Sequence, residues 1–343
     1  MRVAILAHEQ FPDRAKTAVG ILRYGDHEVV AVLDRTLAGD RVNDHVPDIP
    51  DAPIVDSIDD VGNIDALVVG IAPIGGGFDE TWRPDVRGAL ERGCDVVAGL
   101  HYFLADDEQF ARLAAENEAE IRDLRRPPDD LTVSDGTAGE VDADVVLTVG
   151  TDCSSGKMTT TFELVESARE RGIDAAVIPT GQTGIAVADY GIAVDRAVAD
   201  FAAGAVERMV EERGADHDLL VVEGQGALCH PAYSGVTASI LHGSMPDALV
   251  LCHVAGREAV HGYEHVPVPP PGEYAEIYES VANPVAPTTV AAGALNTRAV
   301  ESDEAARAAV EEYAAAIDAP ATDSVRFGVD GILDAVLDSA RLE

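Results

Sequence analysis

The sequence contains very little lysine. Lys16 and Lys157 are its only two lysines in 343 residues, and 62 acidic residues against 24 Lys and Arg give a formal charge of −38. This charge opposes binding to nucleic acids, because their phosphates attract basic surfaces. An acidic surface almost free of lysine is typical of proteins that work at very high salt, where charges are screened. We therefore expect a halophilic protein with no nucleic-acid partner.

The sequence also lacks long apolar runs and paired cysteines. No apolar run reaches the ~20 residues that a helix needs to cross a bilayer, so we expect no membrane partner. The four cysteines show no metal-ligand spacing, and we predict no metal site. Because no signal peptide is visible, we expect a cytoplasmic protein with reduced thiols.

Strands and helices alternate from the start of the chain. Apolar runs at Arg2–Ala7 and Val29–Leu33 flank a helical pattern at Lys16–Tyr24, which predicts a parallel, doubly wound α/β sheet. No Gly-x-Gly-x-x-Gly motif follows the first strand, so we assign no NAD site. Asp34 ends the second strand and is predicted to be solvated. Gly75–Gly77 end a later strand and favour close approach of a ligand or backbone.

The stretch from Asp144 to Thr161, DVVLTVGTDCSSGKMTTT, dominates the second half of the chain. An apolar strand, a turn bounded by glycines, a Gly-Lys pair and a helix follow one another, as in a phosphate-binding loop. The N–H groups of such a turn, the helix dipole and the lysine all attract an anion. The predicted anion-binding residues are Gly150, Thr151, Cys153, Ser154, Ser155, Gly156, Lys157, Met158 and Thr159.

This loop departs from the usual phosphate-binding pattern in two ways. Five residues rather than four lie between Gly150 and Gly156, a spacing that resembles the Gly-Thr-Asp loops of dethiobiotin synthetase-like ATPases. Met158 replaces the Ser or Thr whose hydroxyl holds Mg²⁺, and a thioether is a poor ligand for that ion. The pattern favours a loop that binds a phosphorylated ligand without cleaving it. An ordinary strand–turn–helix is the alternative.

A linker and two further strand ends complete the organisation. The proline-rich and acidic stretch Arg126–Asp142 indicates a boundary at residue 140. We predict a Rossmann-like α/β domain over 1–140 and a P-loop NTPase-like α/β domain over 141–343. In the latter, the Pro179–Gly184 segment suits a ligand rim, and Glu223 follows an apolar strand at the position of a functional carboxylate. Helices are predicted at Asp106–Arg122 and Asp195–Glu211.

Three segments together carry a family resemblance: GTDCSSGKMTT, PTGQTG and VVEGQGALCHP. With the Rossmann-like half, they resemble the DgcN family of D-glutamate N-acetyltransferases over nearly the whole chain. The resemblance implies transfer of an acetyl group from acetyl-CoA to the amine of D-glutamate. CoA phosphates need binding rather than cleavage, which agrees with Met158. We therefore expect the loop to bind CoA phosphates, with acetyl-CoA as co-substrate and no metal.

This reaction needs a base and groups that bind glutamate. The amine is mostly ammonium at pH 7, so a base must take a proton before attack on the thioester. The candidates, in order, are Glu223, Asp152 and His230, although for His230 a structural role in its loop is the favoured interpretation. Arg83 and Arg257 are candidates for binding the carboxylates, and Gln182 lies in the predicted rim. A two-step route through an acetylated Cys153 is the less favoured alternative.

Two other functions fit the same residues. One is a Mg-ATP-dependent enzyme of the dethiobiotin synthetase type, with Asp152 and Glu223 beside the metal. The other is a nucleotide-binding sensor without catalysis. In all three cases we expect a small-molecule ligand and a homodimer, because a subunit interface would help to complete a site.

Overall fold

The computed structural model describes residues 1–71 and 76–340, so Gly75 of the predicted glycine turn lies outside the described residues. Contacts divide the chain into two compact units. Unit 1 comprises Met1–Pro128 and Gln182–Arg196, and unit 2 comprises Asp129–Gly181 and Ala197–Glu343. The boundary predicted at residue 140 falls inside unit 2. One segment from the second half of the chain belongs to unit 1.

Unit 1 contains a six-stranded parallel sheet. Its strands lie in the order β3-β2-β1-β4-β5-β6, which is the Rossmann order. The strands are β1 (Arg2–Leu6), β2 (Glu28–Leu33), β3 (Ile54–Val55), β4 (Ala66–Val69), β5 (Asp95–Ala98) and β6 (Ile121–Asp123). Its helices are α1 (Lys16–Tyr24), α2 (Arg83–Glu91), α3 (Glu108–Glu116) and α5 (Gln182–Ala188). The predicted first strand and helix are confirmed.

Two predictions in unit 1 are wrong. The helix predicted over Asp106–Arg122 ends at Glu116, because Glu118 adopts a left-handed conformation (φ 56°) and the chain then continues into β6. Asp34 is fully buried rather than solvated. Its carboxylate accepts hydrogen bonds from the backbone N–H groups of Phe11 (3.2 Å) and Thr36 (2.9 Å), and these bonds offset the cost of burying the charge.

Unit 2 contains a second six-stranded parallel sheet, in the order β14-β13-β10-β7-β9-β8. Its strands are β7 (Asp144–Gly150), β8 (Ala175–Ile178), β9 (Leu219–Glu223), β10 (Ala248–Val254), β13 (Thr289–Asn296) and β14 (Ala321–Thr322). A small antiparallel pair joins β11 (Ala259–Val260) to β12 (Tyr263–Pro267). The predicted class, two parallel-sheet α/β domains, is thereby confirmed.

Helices cover both faces of the second sheet. They are α4 (Lys157–Glu170), α6 (Ala202–Gly214), α7 (Ser234–Ser244), α8 (Pro271–Ala282), α9 (Asp303–Ile317) and α10 (Asp330–Ala340). Ala292 and Ala294 of β13 share one buried cluster with α4 and α10. A Cβ at Gly293 would lie 2.5 Å from Ile317 of α9. Since neighbouring residues of a strand point to opposite faces, α9 lies on the other face from α10.

The helix predicted over Asp195–Glu211 is only partly present. Two single turns, Val194–Arg196 and Ala199–Phe201, precede α6, which begins at Ala202. The division between the units falls after Arg196, within this stretch. Elsewhere, none of the helices in the described parts of the chain combines the length and apolar character needed to cross a bilayer.

Candidate functional site

The loop after β7 has the backbone of an anion-binding site. It curls so tightly that a Cβ at Gly150 would lie 2.6 Å from Ser155 Oγ and 2.8 Å from Lys157 Nζ. Gly156 closes it in the left-handed region (φ 107°), where a side chain would be strained. α4 starts at the next residue, and the N–H groups of its first turn have no partners within the helix. Together with the helix dipole, these N–H groups favour a bound anion.

Lys157 places a positive charge inside this loop. Its side chain is buried, and Nζ donates to Asp152 O at 2.8 Å and to Ser155 Oγ at 3.4 Å. A Cβ at Gly224 would lie 3.4 Å from Lys157 Cδ and 2.0 Å from Thr148 O. Only glycine fits there, so the end of β9 comes directly beside the lysine.

The start of the loop is fixed to the neighbouring elements. Thr151 N donates to Cys252 O of β10 at 3.0 Å, and Thr151 Oγ1 lies 2.7 Å from His253 Nδ1. Tyr278 of α8 donates its hydroxyl to Gly150 O at 2.7 Å. Burial, reinforced by the charge of Arg257, lowers the pKa of His253 to about 4. His253 is therefore neutral at pH 7 and acts as a polar anchor.

The Asp152 side chain is fully buried, and both of its carboxylate oxygens accept hydrogen bonds. One oxygen accepts the Cys153 N–H at 2.6 Å, and the other accepts Arg257 Nη1 at 3.1 Å and the His261 N–H at 2.8 Å. Arg257 Nη1 also donates to Cys153 O at 2.9 Å. This geometry suits a carboxylate that fixes the loop. Its role as a base, for which the sequence ranked it second, stays a prediction.

His230 is buried and oriented as a hydrogen-bond donor. Its Nδ1 accepts the Ala232 N–H at 3.1 Å, so the neutral ring carries its proton on Nε2. Nε2 lies 3.9 Å from Asp152 Oδ1, which is longer than a hydrogen bond. Burial is the main cause that lowers the pKa of His230, and the Lys157 charge adds to it. A neutral ring with this tautomer donates from Nε2 and cannot accept a proton there.

Asp152, Cys153 and His230 together offer three metal-ligand atoms within 4.8 Å of one another. Two features oppose a cation at this point. Ligation through His230 Nε2 requires the opposite tautomer from the one that the Ala232 N–H imposes. The guanidinium of Arg257 already neutralises Asp152. The expectation of no metal remains a prediction that this donor set supports.

Glu223 lies at the carboxyl end of β9, beside the loop. Its side chain is buried, and its backbone is in register with Thr148 of β7. Thr180 Oγ1 donates to Glu223 O at 2.5 Å, and a Cβ at Gly181 would lie 3.7 Å from Glu223 Oε1. Thr180 and Gly181, which belong to the predicted ligand rim, therefore lie next to Glu223, the first candidate base.

Two residues that were predicted to bind the substrate, Arg83 and Gln182, belong to unit 1 rather than to unit 2. Arg83 contacts Glu80 at 2.7 Å and Asp107 at 2.9 Å, and its guanidinium lies 4.6 Å from the ring centroid of Phe110. Partial burial opposes ionisation of Asp107, but hydrogen bonds, first from Arg83, lower its pKa to about 2. Gln182 begins α5 and packs against Gly99. The carboxylate-binding role of Arg83 and the rim role of Gln182 remain predictions.

A cavity of about 360 Å³ adjoins the loop within unit 2. It is lined by Ser154, Val254, Arg257, Asn296, Arg298 and Ala299. Neither Asn296 nor Arg298 is predicted from the sequence to belong to a site. A signal was available, because both residues lie at the carboxyl end of β13, where parallel sheets bind ligands.

Comparisons with known proteins cover both units. The P-loop domain of DUF1611, a domain of unknown function, matches residues 132–333, and the Rossmann-like DUF1611_N domain matches residues 35–127. A D-glutamate N-acetyltransferase of Pseudoalteromonas sp is 35% identical over 268 residues, covering 78% of this chain and 80% of that protein. Another protein of that name, from Tritonibacter scottomollicae, is 35% identical over 272 residues, or 79% of this chain and 80% of that protein.

A solved structure extends the similarity to the whole chain. The crystal structure of a DUF1611 family protein from Anabaena variabilis superposes with a TM-score of 0.93 at 40% identity, covering 98% of this chain and 99% of that one. The resemblance seen in the three sequence segments is confirmed by these matches. The chain belongs to the DUF1611 family, which joins a Rossmann-like N-terminal domain to a C-terminal P-loop domain.

Proposed function

We propose that this protein is an N-acetyltransferase that moves the acetyl group of acetyl-CoA to the amine of D-glutamate. Its similarity to two relatives of that name supports the reaction. The structural observation that carries the proposal is the adjacency of a buried cation, Lys157, and a buried carboxylate, Glu223, at the end of one sheet. The first suits an anionic cofactor, and the second suits proton removal.

In this proposal the loop holds the pyrophosphate of CoA. The N–H groups at the start of α4 and the ammonium of Lys157 supply the positive charge. Met158 is buried within α4 and offers no hydroxyl for Mg²⁺. A loop that binds phosphate without this hydroxyl suits a cofactor whose phosphates stay intact.

Glu223 takes the proton from the ammonium of glutamate. The amine nitrogen then attacks the thioester carbonyl carbon, and the C–S bond breaks. The nitrogen loses its second proton as the amide forms, and this proton passes to the departing CoA thiolate, while the first proton leaves Glu223 to solvent. The carbonyl oxygen gains negative charge in the transition state, and a preorganised donor stabilises it. His230, neutral with its proton on Nε2, is suited to be that donor.

The deciding experiment measures thiol release from acetyl-CoA with D- and L-glutamate, at molar salt and with EDTA present. We expect thiol release with the D enantiomer and no loss of rate in EDTA. Mg²⁺-dependent release of ADP from ATP would instead support the dethiobiotin synthetase-type function. Tight cofactor binding with no turnover of any amino acid would support a sensor. Assaying the same preparation across salt concentrations tests the halophilic prediction, since equal activity and stability at low salt contradict it.

Replacement of Cys153 separates direct transfer from the two-step route. Its thiol is half-buried, and its N–H holds Asp152. In direct transfer, Cys153→Ser keeps that backbone bond, and we expect kcat to stay within about threefold of wild type. Mass spectrometry of the protein mixed with acetyl-CoA alone provides the second readout. A stable acetyl adduct on wild type together with an inactive serine variant would establish the two-step route.

A further inference from the structure

The cavity beside the loop presents hydrogen-bond donors. Arg257 and Arg298 contribute two guanidinium groups, and Ser154 contributes a hydroxyl. Asn296 Oδ1 accepts the backbone N–H of Arg298 at 3.0 Å, and its NH₂ is a further donor group on the side chain. Two arginines on one cavity are unusual in a chain of formal charge −38. The lining therefore suits an anionic ligand.

The two arginines differ in their surroundings and in their exposure to solvent. Arg257 lies 3.1 Å from the buried Asp152 carboxylate and donates to Cys153 O, so its charge is partly neutralised and its position is fixed by the loop. Arg298 is exposed beyond the end of β13. Val254 and Ala299 add apolar surface to the same cavity. A ligand part with both a phosphate and a flat ring matches such a lining.

The sheet order separates this cavity from Glu223. The cavity lies at the ends of β10 and β13, whereas Glu223 ends β9, and β7 with its loop lies between them. Strands are about 4.8 Å apart, so β9 is roughly 10 Å from β10 and 14 Å from β13. The carboxyl carbons of glutamate are only roughly 5 Å apart, given C–C bonds of about 1.5 Å. Glutamate is shorter than either of these strand separations, so a longer ligand matches the cavity better than glutamate does.

We propose that this cavity binds the 3′-phosphorylated adenosine end of CoA, with Arg298 contacting the 3′-phosphate. This inference rests on the proposed function. It places the three parts of the cofactor along the end of the sheet, with the adenosine at β10 and β13, the pyrophosphate at the loop after β7 and the thioester towards β9. Arg298 is then a specificity-determining residue for CoA rather than a catalytic one.

The test compares acetyl-CoA with acetyl-3′-dephospho-CoA as donors, at the lowest salt that keeps the protein folded. For the wild type we expect a KM roughly tenfold higher with the dephospho donor. Arg298→Ala should raise the KM for acetyl-CoA by about the same factor and leave the KM for the dephospho donor and for D-glutamate unchanged. Arg298→Lys should retain part of the discrimination, because it keeps the charge but not the bidentate geometry.

Arg208→Ala is the matched control, since it removes the same charge from α6 of unit 2, outside the cavity. It should leave the preference between donors intact. Equal effects of Arg298→Ala on both donors, or a raised KM for D-glutamate instead, would overturn the inference. Calorimetric binding of CoA and 3′-dephospho-CoA provides a readout independent of turnover. One result would separate the two proposals. If binding of CoA depends on Arg298, binding of 3′-dephospho-CoA does not, and no acetyl transfer occurs, the cavity assignment stands and the proposed function fails.

Discussion

In each unit, the first strand-to-helix turn follows a buried strand, but the two turns surround groups of opposite charge. In unit 1, the turn between β1 and α1 directs the Phe11 N–H to the carboxylate of Asp34, which is fully buried. In unit 2, the turn between β7 and α4 surrounds the ammonium of Lys157 and leads into a helix whose first turn can bind an anion. The first turn binds a carboxylate of the protein itself, whereas in our proposal the second binds the phosphates of the cofactor.

The carboxylates on the neighbouring strands extend this contrast. Asp34 follows β2, next to β1, and Glu223 ends β9, next to β7. Asp34 accepts three hydrogen bonds, from Phe11 N, Thr36 N and Thr36 Oγ1. Glu223 lies beside the ligand rim and the lysine loop. Equivalent places in two parallel sheets therefore serve structure in one unit and, in our proposal, chemistry in the other.

The largest effect that tests this contrast is expected for Glu223→Gln. An amide cannot take the ammonium proton, so we expect kcat for acetyl transfer to fall by about 10³, with KM for acetyl-CoA little changed. Steady-state kinetics with D-glutamate measure both values. Asp152→Asn provides the comparison for the second candidate base. A larger loss of kcat in Asp152→Asn than in Glu223→Gln would reverse the ranking of the two residues as candidate bases.

Removal of the loop cation should have the next largest effect. Lys157→Met keeps the buried methylene chain but not the charge, and we expect kcat/KM for acetyl-CoA to fall about 10²-fold. Calorimetry with CoA should show a comparable loss of affinity. Lys16→Met in unit 1 is the control, since it removes the only other lysine. Unchanged CoA affinity in Lys157→Met would remove the loop from the cofactor site.

His253, which anchors the loop, should make stability depend on pH. Its pKa of about 4 in the folded protein lies below the ordinary 6.5, so the unfolded chain binds more protons between these values. The contribution of His253 to the free energy of unfolding is fully present above pH 6.5. It is lost as the pH falls towards 4, by about 3 kcal/mol in all. Urea unfolding of wild type and His253→Asn from pH 4 to 7 measures the difference. Parallel pH curves for the two proteins would contradict the assignment.

The smallest effect is expected in unit 1, from Asp34→Asn. The amide turns a donor towards backbone N–H groups, and we expect the free energy of unfolding to fall by about 2 kcal/mol while kcat stays within about twofold. The exposed Asp26→Asn is a matched control for the lost charge. Urea unfolding and the acetyl-transfer assay are run on the same samples. A loss of activity without a loss of stability would give Asp34 a functional role and remove the contrast between the units.

The local sequence pattern predicted some of the strands and helices correctly but missed others. β1 and α1 were predicted almost to the residue, because each combines an apolar pattern with a clear glycine or polar end. α7 was not recognised, since it carries two glycines and its apolar residues show no strong period. The break after Glu116 was missed because a left-handed residue such as Glu118 leaves no mark in a run of helix-forming residues.

The class of fold, a loop of the phosphate-binding type and a carboxylate at the end of the neighbouring strand could all be predicted from the sequence. These features depend on spacing along a few consecutive residues. The folded chain was needed to learn that Asp34 is buried, that His230 carries its proton on Nε2, and that Asn296 and Arg298 share a cavity with Ser154. Such facts depend on which strands become neighbours and which donors meet which acceptors, and residues far apart in the chain determine both.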